Sequence, residues 1–410
     1  MTVSRSVNRV TIIGGSLAGA SAAFALRDAG FTGSVTLVGE ERHRPYERPP
    51  LSKGYLRGEE AADNSDVRPA ADYATHDIEL IAGHRAVTID RDARTVELDD
   101  DRQLRYDALI LATGASPRRL SVTRGYLPGV HYLRTRDQAD ALRAAAASAS
   151  RIVVIGGGWI GTEAAASLRQ MGGDVTLVTN LDHPLERVLG PEVGAIYGEL
   201  HRANGVRIVP GHAIALVGDD RVCGVRLGDG QVLPADVVVA GVGAVPRVGL
   251  ALRSGLATSE GAIAVDAHLR TSDPAIFAAG DVAAAFHPRY GRRIRVEHWD
   301  NAREQGATAA RNVLGAREIY DRVPYFYSDQ FDLGMEVRGR TLGSDRAVLR
   351  GDPSRREFLA FWLSEGRVVA AMNANIWDAG DQLAAMVAGG VRIAPERLAD
   401  DGVPIAAMAA

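Results

Sequence analysis

Among the 47 lysine and arginine side chains of this 410-residue chain, Lys53 is the one lysine. An ammonium is a compact point charge and a guanidinium a wide planar fork, so a lysine kept among arginines marks a tight charged site; an incidental surface lysine is the plainer alternative. Two glycine-rich stretches stand out next. Gly14-Gly15-Ser16-Leu17-Ala18-Gly19 and Gly156-Gly157-Gly158-Trp159-Ile160-Gly161 each follow an apolar run and precede an alanine-rich one. In such a turn the first glycine allows the bend, the second lets backbone approach a pyrophosphate, and the third lets helix pack on strand. The helix N-terminus then faces the phosphate charge. One such turn is weak evidence, whereas two in the same context argue for two dinucleotide sites. Cys223 is the only cysteine. That excludes an intramolecular disulfide, a Cys-x-x-Cys pair and a multi-cysteine metal or iron-sulfur site, so redox chemistry would have to come from a bound cofactor. No metal site is expected.

The elements that position these residues can be read around the loops. Val10 to Ile13, a helix to about Asp28 and a return strand Ser34 to Val38 form one βαβ unit; Ile152 to Ile155, a helix to about Met171 and Asp174 to Val178 form another. The first return strand ends in Glu40, the acid expected to hold an adenosine ribose, while the second ends in Thr179-Asn180. Tyr106 to Gly114, Val237 to Pro246 and Ile276 to Val282 read as later strands returning to the first domain, and Arg221 to Leu227 as a strand carrying Cys223. Beyond about residue 318 alternating strands (Ala347 to Leu349, Phe358 to Leu363, Arg367 to Met372) and a helix from Asp381 read as a smaller domain. The expected fold class is α/β: two Rossmann-like dinucleotide-binding domains, 1–115 with 244–318 and 116–243, and an α+β C-terminal domain, 319–410.

Composition bounds the rest. An apolar fraction of 46% supplies real cores, and a net charge of −4 gives no strong field for nucleic acid or membrane. No apolar run is long enough to span a bilayer, and the N-terminus lacks the pattern of a signal peptide, so a cytoplasmic protein is expected.

Three further stretches, Pro45-Tyr46-Glu47-Arg48-Pro49-Pro50-Leu51-Ser52-Lys53, Glu297-His298-Trp299-Asp300-Asn301-Ala302 and Ser328-Asp329-Gln330, join the glycine loops in a pattern that resembles the FAD-dependent pyridine nucleotide-disulfide reductase superfamily. Within it the chain resembles the oxygenase-coupled ferredoxin reductases, which have a glutathione-reductase-like architecture. The resemblance implies FAD on the first fold, held by Gly14, Ser16, Leu17, Ala18, Glu40, Arg48, Ala86, Ala112, Thr113, Gly114, Arg134, Gly280, Asp281, Glu297 and His298, with Trp299 against the isoalloxazine. It implies NADH or NADPH on the second, at Gly156, Gly158, Trp159, Ile160, Gly161, Glu163, Thr179, Val242 and Gly243. Lys53 would sit at the flavin N5 edge with Glu163 as its counter-ion and as the group that orients the nicotinamide.

Three positions depart from the family pattern: Tyr327 stands where tryptophan is usual, Arg247 where asparagine follows proline, and Thr179 where an acid is usual. Trp159 could gate the nicotinamide or pack under its helix, and Trp377 could approach the flavin from the third domain. The implied activity is hydride transfer from NADH or NADPH, followed by single-electron transfer to an acidic 2Fe-2S ferredoxin that feeds an oxygenase or haem monooxygenase. Arg289, Arg292, Arg293 and Arg295 form a basic run that could steer that partner. Rubredoxin reductase, NADH oxidase and a redox sensor like apoptosis-inducing factor are the competing readings, and a monomer or weak dimer is expected.

Overall fold

A computed structural model describes residues 7–341 and 346–409. By compactness the chain parts into two units: the chain up to Arg48 with Ala62–Ser116 and Ala244–Arg322, and Pro49–Ala61 with Pro117–Gly243 and Val323–Ala410. The segment carrying Lys53 and the C-terminal region thus share a unit with the second glycine loop.

The first unit is built on a five-stranded parallel sheet in the order Ile276–Ala278, Ala108–Leu111, Arg9–Ile13, Ser34–Gly39, Ile78–Ala82. The central strands are near-continuous apolar runs, as sheets covered on both faces require. Val10, Ile12, Leu37, Leu109 and Ile110 lie in one core with Ala20, Ala23 and Leu26 of the helix Leu17–Asp28. Helix Trp299–Val313 packs against that helix, and an added Cβ on Gly306 would come within 2.2 Å of the Ala18 carbonyl, so the two backbones meet where only glycine fits.

The second unit repeats the plan. Its parallel sheet runs Arg207–Pro210, Asp174–Thr179, Arg151–Ile155, Val237–Ala240, Val130–His131. Val237–Ala240 therefore belongs here, paired in register with Ile152 to Ile155, and is not a return to the first sheet. The run is buried throughout, and nothing local in it names which of two similar sheets it joins. Cys223 likewise lies outside the strand expected to carry it: the strand is Gly224–Leu227, and Cys223 is exposed before it. Residues Tyr325–Gln330, Leu333–Gly339, Arg367–Ala374, Glu357–Ser364 and Ala347–Asp352 form an antiparallel sheet in that order, flanked by helix Gly380–Gly389. No helix of the described residues is long and apolar enough to cross a membrane.

Candidate functional site

In the first unit Gly14 bends the chain at φ +130°, and an added Cβ there would come within 2.0 Å of the Ala112 carbonyl. A Cβ on Gly19 would fall 2.0 Å from the Gly14 carbonyl. Strand, turn and helix are thus in backbone contact, and this brings Ser16, Leu17 and Ala18 to a helix start with no side-chain cap and no acid in its first turn. Uncapped N–H groups and an unopposed helix dipole suit an anionic pyrophosphate.

Glu40 stands one residue beyond the return strand, where its carboxylate is ion-paired with Arg247. The Arg247 guanidinium also donates to the Ser116 hydroxyl at 2.6 Å, and the Arg247 carbonyl accepts from Thr113 Oγ1 at 3.0 Å. The position that departs from the family pattern is thus tied to two residues expected at the FAD site. Arg48 pairs with Glu41 at 2.8 Å, and Asp281 is buried in the turn Gly280–Val282, where the Gly280 N–H donates to Gln305 Oε1 at 2.9 Å.

Trp299 lies under the Arg303 guanidinium, 4.4 Å from the ring centroid, and lines a groove with Leu17, Ser21 and Phe24. His298 caps its helix by accepting from the Asp300 N–H, and Glu297 is ion-paired with Arg295. Ala86 is a core residue of a small three-stranded sheet. Arg134 lies in the second unit, just before Thr135, which caps the helix Arg136–Ala147.

The second glycine loop has the same close approach: a Cβ on Gly161 would lie 1.9 Å from the Gly156 carbonyl. Around Gly158 a Cβ would meet nothing within 4 Å, and the helix Trp159–Gln170 again starts without a side-chain cap. Both loops therefore fit a dinucleotide phosphate. Ile160 is exposed at that start, and Gly243 turns at φ +97° with open space around it, next to the half-buried Val242. Thr179 is buried beneath Gly157, whose added Cβ would reach Thr179 Oγ1 at 2.7 Å. The Trp159 ring stacks on Phe326, with centroids 4.3 Å apart.

Lys53 and Glu163 meet in this unit. The Lys53 ammonium lies 3.0 Å from Glu163 Oε1, with side-chain exposures of 14% and 5%, so the pair is largely withdrawn from water. The ammonium also sits 5.4 Å from the Tyr327 ring centroid. Glu163 accepts two further bonds that sequence reasoning missed, from Ser52 Oγ at 2.5 Å and Ser328 Oγ at 2.7 Å. Alternation in a strand turns Ser328 and Gln330 the same way, but nothing local in the sequence joins either to Glu163.

Of the basic run, Arg289, Arg292 and Arg293 are exposed on or beside the hairpin Ala283–His287 and Arg292–Ile294, whereas Arg295 is engaged by Glu297. Phe286, 37% exposed, sits opposite Arg293 across the hairpin. Trp377 is 58% exposed beside Gly334.

The family model for pyridine nucleotide-disulphide oxidoreductases matches residues 8–306, and the reductase C-terminal model matches 325–409. The chain is 41% identical over 399 residues to the 5,5'-dehydrodivanillate O-demethylase ferredoxin reductase subunit of Sphingobium sp., covering 96% of each chain. It is 37% identical to the putidaredoxin reductase CamA of Pseudomonas putida, covering 97% of this chain and 96% of that one. Among solved structures, the ferredoxin reductase for the CYP199A2 system of Rhodopseudomonas palustris superposes with a TM-score of 0.95 at 37% identity, over 98% of this chain and 100% of that one. The reductase in a covalent putidaredoxin reductase–putidaredoxin complex superposes with a TM-score of 0.92 at 37% identity, over 97% of each chain.

Proposed function

Because the chain belongs to the pyridine nucleotide-disulphide oxidoreductase family, we propose that it is an FAD-dependent ferredoxin reductase, taking hydride from NADH or NADPH and passing single electrons to a 2Fe-2S ferredoxin of an oxygenase or haem monooxygenase system. The observation that carries this reading is the withdrawn Lys53–Glu163 pair, in a chain with two glycine-loop helices and a single, exposed cysteine. A disulfide reductase of the family would need a redox cysteine, and Ser52-Lys53 occupies that region of the chain.

FAD supplies the conversion between a two-electron hydride and one-electron transfers. The chain supplies position and charge. The Gly14–Gly19 loop would hold the FAD pyrophosphate at its open helix start, and Glu40, tethered by Arg247, would hold the adenosine ribose. Lys53 would offer the flavin a fixed positive charge, which favours its reduced form. Glu163, 3.0 Å from that ammonium, would orient the nicotinamide of a nucleotide held by the Gly156–Gly161 loop. Arg289, Arg292 and Arg293, with Phe286 among them, form the surface that an acidic ferredoxin meets. We place the protein in the cytoplasm, acting as a monomer or weak dimer.

The test is anaerobic mixing with NADH and with NADPH, followed by oxidised 2Fe-2S ferredoxin. Rapid flavin bleaching and then ferredoxin bleaching are expected, and the faster donor is the physiological one. Flavin reduction with no transfer to any iron-sulfur protein would favour an oxidase or sensor.

A further inference from the structure

A carboxylate as deeply buried as Glu163 needs hydrogen-bond donors around it. Their direction can be worked out from chemistry alone. The amide nitrogen of Gln330 lies 3.1 Å from Ser328 Oγ and 3.0 Å from Thr162 Oγ1. An amide nitrogen only donates, so the Ser328 hydroxyl accepts from it and has its own proton left for Glu163. The amide oxygen of Gln330 only accepts, so the ring nitrogen of His201 2.8 Å away, Nε2, carries a proton. The other ring nitrogen, Nδ1, is buried without a partner among the described residues, as a neutral imidazole of that tautomer allows. Burial supports the same state, holding the His201 pKa down at about 4. Ser328, Gln330, His201 and Thr162 are all buried, and the chain joins a strand to two helices of one compact unit.

We propose that His201, Gln330 and Ser328 form a one-directional hydrogen-bond chain that, together with Ser52, turns its donors onto the Glu163 carboxylate and so fixes it against Lys53. These are positioning residues: they touch Glu163 or one another, and they act on the flavin only through Lys53. Two other ionisable groups are close enough to feel the charge of Glu163, namely Tyr197, whose hydroxyl burial keeps protonated, and Asp329, on the opposite side of its strand. Neither is hydrogen-bonded to Glu163 among the bonds described, so the donors to its carboxylate are Ser52, Ser328 and Lys53. The purpose of a fixed Lys53 rests on the ferredoxin-reductase reading, but the hydrogen bonding of Glu163 is independent of it.

Infrared difference spectra of the holoprotein against Glu163→Gln, which isolate the Glu163 carboxylate stretches, test the inference. Ser328→Ala should shift those stretches, Ser52→Ala/Ser328→Ala should shift them further, and Ser328→Thr should restore the wild-type positions. Nitrogen NMR of the wild-type protein should find the His201 proton on Nε2. Absence of these carboxylate stretches in the wild-type protein, stretches unmoved in Ser328→Ala, or a proton on Nδ1 would overturn the proposal. A protein that reduces no ferredoxin yet gives these spectra would sink the functional reading and leave this one standing.

Discussion

Lys53 and Glu163 are each tolerable in a low-dielectric setting only because the other is there. Removing one partner of such a pair leaves an unpaired buried charge, which typically costs about 3–5 kcal/mol. Lys53→Met is therefore expected to lower stability by an amount in that range, read from urea unfolding, and to slow flavin reduction severely. Unchanged stability and unchanged reduction would remove Lys53 from the site. His201 gives a pH dependence whose sign follows from its depressed pKa. Above its ordinary value of 6.5 both folded and unfolded chains carry a neutral ring, and the full stability is present. As pH falls below that, the unfolded chain takes up the proton first, and stability is lost until the folded value of about 4 is reached. The loss amounts to roughly 3 kcal/mol. Urea midpoints near pH 7 and near pH 4.5 should show it in the wild-type protein, and His201→Leu should flatten the difference.

The two glycine loops can be separated by experiment because each seals its own strand to its own helix. Gly161→Ala drives a methyl into the Gly156 carbonyl. It is expected to abolish nicotinamide binding, measured by titrating the oxidised protein, while the content of bound FAD stays at the wild-type level. Loss of FAD instead would mean the two sites are not assigned as proposed. At this scale much was legible in sequence. Glycine spacing is a local signal, and it located both strand-turn-helix units to within a residue or two. Where the answer depended on distant pairing the sequence was silent. The buried run Val237–Ala240 fits either parallel sheet by composition, and only its partner Ile152 to Ile155 decides. The ligands of Glu163 come from positions 52 and 328, separated from it by 111 and 165 residues, so no local pattern joins them. Arg247 was visible as a departure, but its pairing with Glu40 was not, because 207 residues separate the two.

Taken whole, the molecule carries a net charge of only −4, so any attraction to an acidic partner has to come from a local patch. Arg292→Glu/Arg293→Glu is expected to raise the Michaelis constant for ferredoxin several-fold at low salt, to weaken its salt dependence, and to leave electron transfer to a small neutral acceptor unchanged. An unaltered constant at low salt would move the docking surface elsewhere. The exposed Cys223 has no part in the proposed electron path. Cys223→Ser should therefore match the wild-type protein in flavin reduction and ferredoxin turnover, and loss of either would reopen a thiol mechanism.

The strand Tyr325–Gln330 has a further consequence, which concerns how this chain can change over generations. Ser328 and Gln330 are buried on its Glu163 side, and Tyr327 and Asp329 alternate with them. Substitution can retune either face alone. Gaining or losing a single codon in this stretch would exchange the faces, pulling both hydroxyl and amide away from the carboxylate in one event. Lineages that keep the chemistry should thus never diverge here in length.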